Sequence, residues 1–134
     1  MSTMRPLPLA QLVVGVVAHR DLAPESRPQV EAAVREFLLA LRAAYPALPV
    51  AVMSALAEGG DRWVAHCALE LDMALIAPLP LPPAQYEADF ADAASRTEFA
   101  ALCAKAQVRV LPHAAGTDAG DRERQYARVG VFIA

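Results

Sequence analysis

No stretch of the 134-residue chain approaches the roughly 20 consecutive apolar residues needed to cross a bilayer. The most apolar runs are Leu12 to Ala18 and Met73 to Ala84, and four prolines interrupt the second. No transmembrane helix, and no membrane as a partner, is therefore expected. A signal peptide would have Arg5 as its only charge and no small-x-small cleavage site, so the first run reads as a strand and the chain as cytoplasmic. Cysteine is scarce: Cys67 and Cys103 are the only two, set in helical apolar patterns with neither CxxC nor metal-ligand spacing. They read as reduced core thiols. A large excess of one charge is also missing, since 12 basic residues against 15 acidic give a net charge of −3. Nucleic acid is not an expected partner, although a local basic patch can still hold a phosphate. With 56% hydrophobic residues, wholesale disorder is excluded as well.

The length suits one domain spanning residues 1–134. Gln11 to Ala18 is a nearly unbroken, β-branched apolar run, the pattern of a strand buried on both faces of a parallel sheet. After His19-Arg20-Asp21, Ser26 and Gln29 form a capping-box pair, and Val30, Val34, Phe37, Leu38, Leu41 and Tyr45 recur at helical spacing until Pro46 and Pro49. Val50 to Ser54 is a second strand, and Trp63, Val64, Cys67, Ala68 and Leu71 mark a second helix. Ala74 to Leu79 reads as a third strand ended by Pro78, Pro80, Pro82 and Pro83, which make the next segment a loop. Ser95 with Glu98 is a second capping box ahead of Phe99, Leu102, Cys103 and Ala106. Val108 to Leu111 is a fourth strand, a loop runs from His113 to Gly120, and a last helix carries Tyr126, Val129, Phe132 and Ile133. Strands alternating with helices indicate right-handed βαβ units, hence an α/β fold with helices on both sides of a mostly parallel sheet of about four strands. Ligands of such sheets bind beyond the carboxyl ends of the strands.

Two segments at that edge carry candidate chemistry. His19-Arg20-Asp21 follows the first strand, where helical N–H groups and a guanidinium can hold an anion; the alternative is a solvated turn in which Arg20 pairs with Asp21 or Glu25. Ser54-Ala55-Leu56-Ala57-Glu58-Gly59-Gly60-Asp61-Arg62 places two glycines, a carboxylate and a guanidinium at the start of the second helix. Here the alternative is Asp61 as a plain N-cap with Arg62 exposed and paired to Glu58. The glycine pattern is neither GxGxxG nor a P-loop, so no cofactor is indicated. His66 reads as a surface or half-buried side chain, and His113 has no evident partner. No His/carboxylate spacing suits a metal, and Ser54 lies in no nucleophile motif. Arg122, Arg124 and Arg128 form a basic face balanced by Asp118, Asp121 and Glu123. Tyr86 and Phe90 either stack on a base or pin their loop to the core.

Taken together, Val14 to Leu22, Ser54 to Arg62, Ile76 to Pro80 with Tyr86 and Phe90, and Arg124-Gln125-Tyr126 with Gly130 resemble the SLOG superfamily. This is the Rossmann-like group containing the LOG (lysine-decarboxylase-like) and DprA-like proteins. The resemblance runs in order along nearly the whole chain. It implies a strand order of 3-2-1-4 and a nucleotide or nucleotide-derived ligand. The ligand-binding candidates are His19, Arg20, Ser54, Glu58, Gly59, Gly60, Asp61 and Arg62, with Arg20 on the phosphate and Gly59, Gly60 and Asp61 shaping the wall. Relatives usually carry a small polar residue and a glycine where this chain has Val17 and Ala18. The family's fifth strand and glycine-rich phosphate turn, including the LOG-type Pro-Gly-Gly-x-Gly-Thr motif, are not found in these residues. The expectation is a shortened relative, or one whose sheet edge a partner chain completes. Two alternatives to ligand binding follow: a noncatalytic module that assembles as a homodimer through its open edge and last helix, or an enzyme cleaving a nucleotide N-glycosidic bond.

Overall fold

The computed structural model describes residues 10–112 and 119–133. Strand β1 (Leu12–Gly15) leads through a 3-10 turn, Pro24–Ser26, into α1 (Arg27–Ala44). Then come β2 (Val50–Met53), α2 (Gly60–Glu70), β3 (Ala74–Leu79), the short α3 (Pro83–Glu87), α4 (Ala93–Ala104), β4 (Gln107–Val110) and α5 (Ala119–Ile133). All three strand pairings are parallel, with Val14 opposite Val52, Val52 opposite Leu75, and Ala77 opposite Val108. The α/β class and four-stranded parallel sheet agree with the sequence pattern.

The order does not agree with the one implied by resemblance: it is β1-β2-β3-β4, not 3-2-1-4. Right-handed crossovers in a sequential order place successive helices on one face. Accordingly Leu38 of α1, Ala65 and Cys67 of α2, and Phe99 and Leu102 of α4 share one core with Val50, Val52, Leu75, Ala77 and Leu79. These strand residues alternate along their strands, so they line a single face. The opposite face belongs to α5: a Cβ on Gly15 would lie 2.8 Å from Cγ2 of Ile133. The sheet has no internal reversal of order, and its ligand edge must be built by the loops after the strands together with α5.

Sequential order also makes β1 an edge strand, which corrects the expectation of a strand buried on both faces. Val13 is 45% and Val17 73% exposed. β3 is interior yet contains Pro78, which was expected to end it. The Ile76 carbonyl accepts from Ser54 toward β2 and the Leu79 carbonyl from Leu111 toward β4. By alternation Pro78 faces the β2 side, past the last β2 residue, where no ladder donor is needed.

Neither expected capping box forms. The Ser26 side chain donates to Ala23 O and caps nothing, while α1 begins with Arg27-Pro28. At α4 the cap is Asp92, whose carboxylate accepts from the Ser95 amide at 2.7 Å; Glu98 is drawn elsewhere. Part of the proline segment is helical, and Tyr86 and Phe90 pin it to the core. Tyr86 meets Phe90, Phe99 and Tyr126 edge-on at centroid separations of 5.0, 5.4 and 5.8 Å. Such pairs add about 0.5 to 1.5 kcal/mol each beyond their burial. Among the described residues no helix is long and apolar enough to cross a membrane, and Cys67 and Cys103 are free thiols.

Candidate functional site

Two turns interlock at the carboxyl end of the sheet. The turn after β2 opens with Leu56 in a left-handed conformation, φ 60°, strained for a bulky side chain and held on both sides. The Leu56 amide donates to Ser54 Oγ at 3.2 Å, and the Leu56 carbonyl accepts from Arg62 Nε at 2.9 Å. Ser54 Oγ in turn donates to the Asp61 carbonyl at 2.9 Å. Gly59 is the N-cap of α2 at φ 90°, and a Cβ there would lie 2.8 Å from the Arg20 carbonyl oxygen and 2.9 Å from that of His19. A Cβ on Gly60 would fall 2.6 Å from the Ala18 Cβ, so these two residues share one methyl-sized space. The glycines therefore admit the backbone of the neighbouring loop at close range.

The backbone donors of this junction are already engaged. The Gly60 amide points to the His19 carbonyl at 3.4 Å, and those of Arg62 and Trp63 return to the Gly59 carbonyl. The Ala18 amide donates to Asp61 Oδ1 at 3.1 Å. Asp61 is thus no N-cap: it reaches back to the β1–α1 loop. Burial raises its pKa to about 6, against the lowering effect of the Ala18 and Ala57 amides and the Arg20 charge.

Arg62 is not exposed and paired only with Glu58, as the plain-turn reading had it, but 2% exposed. Besides Leu56, it donates to Ser95 O at 3.0 Å, Ser95 Oγ at 2.9 Å and Glu98 Oε1 at 3.0 Å. Its guanidinium lies 4.4 Å from the Phe90 ring centroid. The other Glu98 oxygen meets His66 Nε2 at 3.1 Å. Burial opposes ionisation of Glu98, but hydrogen bonds from Arg62 and His66 outweigh it and hold the carboxyl below its ordinary range. Glu58 accepts from Ser95 Oγ at 2.7 Å and lies 3.9 Å from Arg20.

Two hollows result. The first, about 230 Å³, lies beyond the ends of β1, β2 and β3. Its walls are Ala18 and Arg20 from the first loop, Ala55 and Ala57 from the second, Pro80 and Tyr86 after β3, and Tyr126 and Val129 of α5. The second, about 290 Å³ and more open, is lined by Glu58, Gly59, Arg62, Ala94, Ser95 and Glu98. Of the ligand-binding candidates only Arg20 faces the first hollow, where Tyr86 of the proline-rich segment joins it, and Glu58, Gly59 and Arg62 face the second. Ser54, Gly60 and Asp61 hold the junction, while His19 takes part through its carbonyl and its side chain is exposed. His113 lies outside the described residues.

Sequence reasoning missed Pro80, Tyr126 and Val129 as cavity walls. Tyr126 had a signal, being one of the two aromatics of α5, with Phe132. Its hydroxyl is buried with no hydrogen-bond partner among the described residues. Among those residues no cluster of His, Cys, Asp and Glu is placed to hold a metal. No family model matches the chain, and no curated protein does.

Proposed function

We propose that the chain binds a nucleotide or nucleotide-derived ligand in the 230 Å³ cavity, with Arg20 receiving the negative charge. One observation supports this above the others. The cavity stands at the carboxyl end of the sheet, the edge where α/β sheets take ligands, and Arg20 is the only cationic side chain on its walls among the described residues. The SLOG-like residues His19-Arg20 and Ala57 to Arg62 flank the same place and support the same reading. The test is thermal unfolding against nucleotides and nucleoside monophosphates. A ligand at 100 times its dissociation constant adds about 2.7 kcal/mol to stability. Arg20→Ala should lose up to about 1 kcal/mol of binding, the worth of an ion pair at a half-exposed guanidinium. A shift the variant leaves intact removes Arg20 from the site.

A second reading, assembly as a homodimer, is favoured by the far side of the molecule. β4 is exposed along its whole length, and an apolar groove of about 630 Å³ beside it runs between Leu111-Pro112 and the α5 residues Val131 and Phe132. A mass that rises with concentration would support it.

A further inference from the structure

The cavity has an inner and an outer end of different chemistry. Arg20 marks the outer end, with its side chain 48% exposed, and Glu58 stands 3.9 Å from the guanidinium. Tyr86 is only 4% exposed, so its part of the wall is the inner one. Between them the wall is methyl groups, Pro80 and aromatic ring. A phosphate at the inner end would need free backbone donors, yet the Ala18 and Gly60 amides are taken by Asp61 and His19. It would also meet the Asp61 carboxylate held behind Ala18. The Tyr86 hydroxyl donates no hydrogen bond to a described residue, and burial pushes its pKa up, so it stays a neutral donor. At 230 Å³ the space is below the roughly 300 to 1,000 Å³ of sites that enclose a whole drug-sized ligand. It encloses a ring and leaves the rest outside.

Building on the reading of this cavity as a nucleotide-like ligand site, we infer that the ligand enters ring first. Its heterocycle lies against Tyr86 and accepts from the Tyr86 hydroxyl, while its charge stays outside at Arg20. Tyr86 is then the specificity-determining residue, and the ligand class is a nucleoside whose phosphorylation matters little. A first phosphoryl group gains from Arg20, and further ones meet Glu58.

Calorimetric titration tests this with purine and pyrimidine nucleosides, their mono-, di- and triphosphates, and inorganic phosphate. At least one nucleoside should bind, its monophosphate no more than about tenfold tighter, and its di- and triphosphates no tighter than that. Tyr86→Phe, which keeps the packed ring, should weaken nucleoside and monophosphate alike by about tenfold, the worth of one hydrogen bond. Arg20→Ala should remove only the gain from phosphorylation. Affinity that climbs with each phosphoryl group, or nucleoside binding indifferent to Tyr86→Phe, overturns the inference and leaves the anion site standing. So does inorganic phosphate or a polyphosphate that binds through Arg20 while no nucleoside does. Binding of none of these compounds overturns both.

Discussion

The turns at the carboxyl end of this small sheet and its β4–α5 surface are built to different standards. Near β1 and β2, the loop from Ala18 to Arg20 and the turn from Ser54 to Arg62 are locked by backbone contacts, a positive-φ glycine, a buried carboxylate and a buried guanidinium. On β4 and on the outer surface of α5, Val108, Val110, Val131 and Phe132 stand at least a third exposed. Interlocking of that kind fixes the geometry of the cavity mouth, whereas the β4 side is simply covered in part. A preorganised binding site needs the former, and an association surface tolerates the latter.

The sharpest way to break the comparison is Arg62→Ala. Removing this buried guanidinium should cost about 3 kcal/mol, because the Leu56 and Ser95 carbonyls lose their donor and the half-buried Glu98 is left with only His66. Denaturant unfolding should show that loss, while Val110→Ala on β4 should stay within about 0.5 kcal/mol. Gly59→Ala combines positive-φ strain with a clash against the His19 and Arg20 carbonyls, and should cost about 2 to 4 kcal/mol by the same measurement.

Asp61 makes a pH-dependent prediction. Its folded pKa of about 6 stands above the ordinary carboxylate value, so its contribution to stability is fully present below about pH 4 and is lost as pH rises through 6. Asp61→Asn retains an acceptor for the Ala18 amide and cannot ionise. Between pH 4 and pH 7 the wild-type chain should lose about 2 to 3 kcal/mol relative to that variant, read from unfolding curves at each pH.

Smaller again is Gly60→Ala, at about 1 to 3 kcal/mol for overpacking. Ala18→Gly vacates the shared space, so the double variant should recover part of the loss. Strict additivity in that cycle would show that the two loops do not bear on each other. The smallest effect belongs to the open side, where Phe132→Ser should change stability by no more than about 0.5 kcal/mol at low protein concentration.

The alternation of strands and helices was legible because it is a local signal: β-branched runs from Leu12 and Val50, a short apolar run from Ala74, and 3.6-residue spacing between them. Strand order was not, since no periodicity says which strand lies beside which, and the resemblance pointed to an order the sheet does not have. The importance of the turn from Ser54 to Arg62 could be read from its glycines and charges, but not their division of labour. Arg62 looks like a surface residue beside Glu58 until α4 brings Ser95 and Glu98 over it. Those two, three apart, imitate a capping box, yet Asp92 lies one turn ahead and takes that role. Asp61 imitates an N-cap for the same reason: its true partner, the Ala18 amide, is 43 residues away.

Chemical-shift mapping by NMR, with a nucleoside monophosphate titrated into the isotope-labelled chain, tests the central claim most directly. Saturable shifts are expected at the cavity walls alone, Ala18, Arg20, Ala55, Ala57, Tyr86, Tyr126 and Val129, and are lost at the same ligand concentrations when Arg20→Ala and Tyr86→Phe are combined. Shifts gathered instead at Leu111, Val131 and Phe132, or none across the panel, would contradict it.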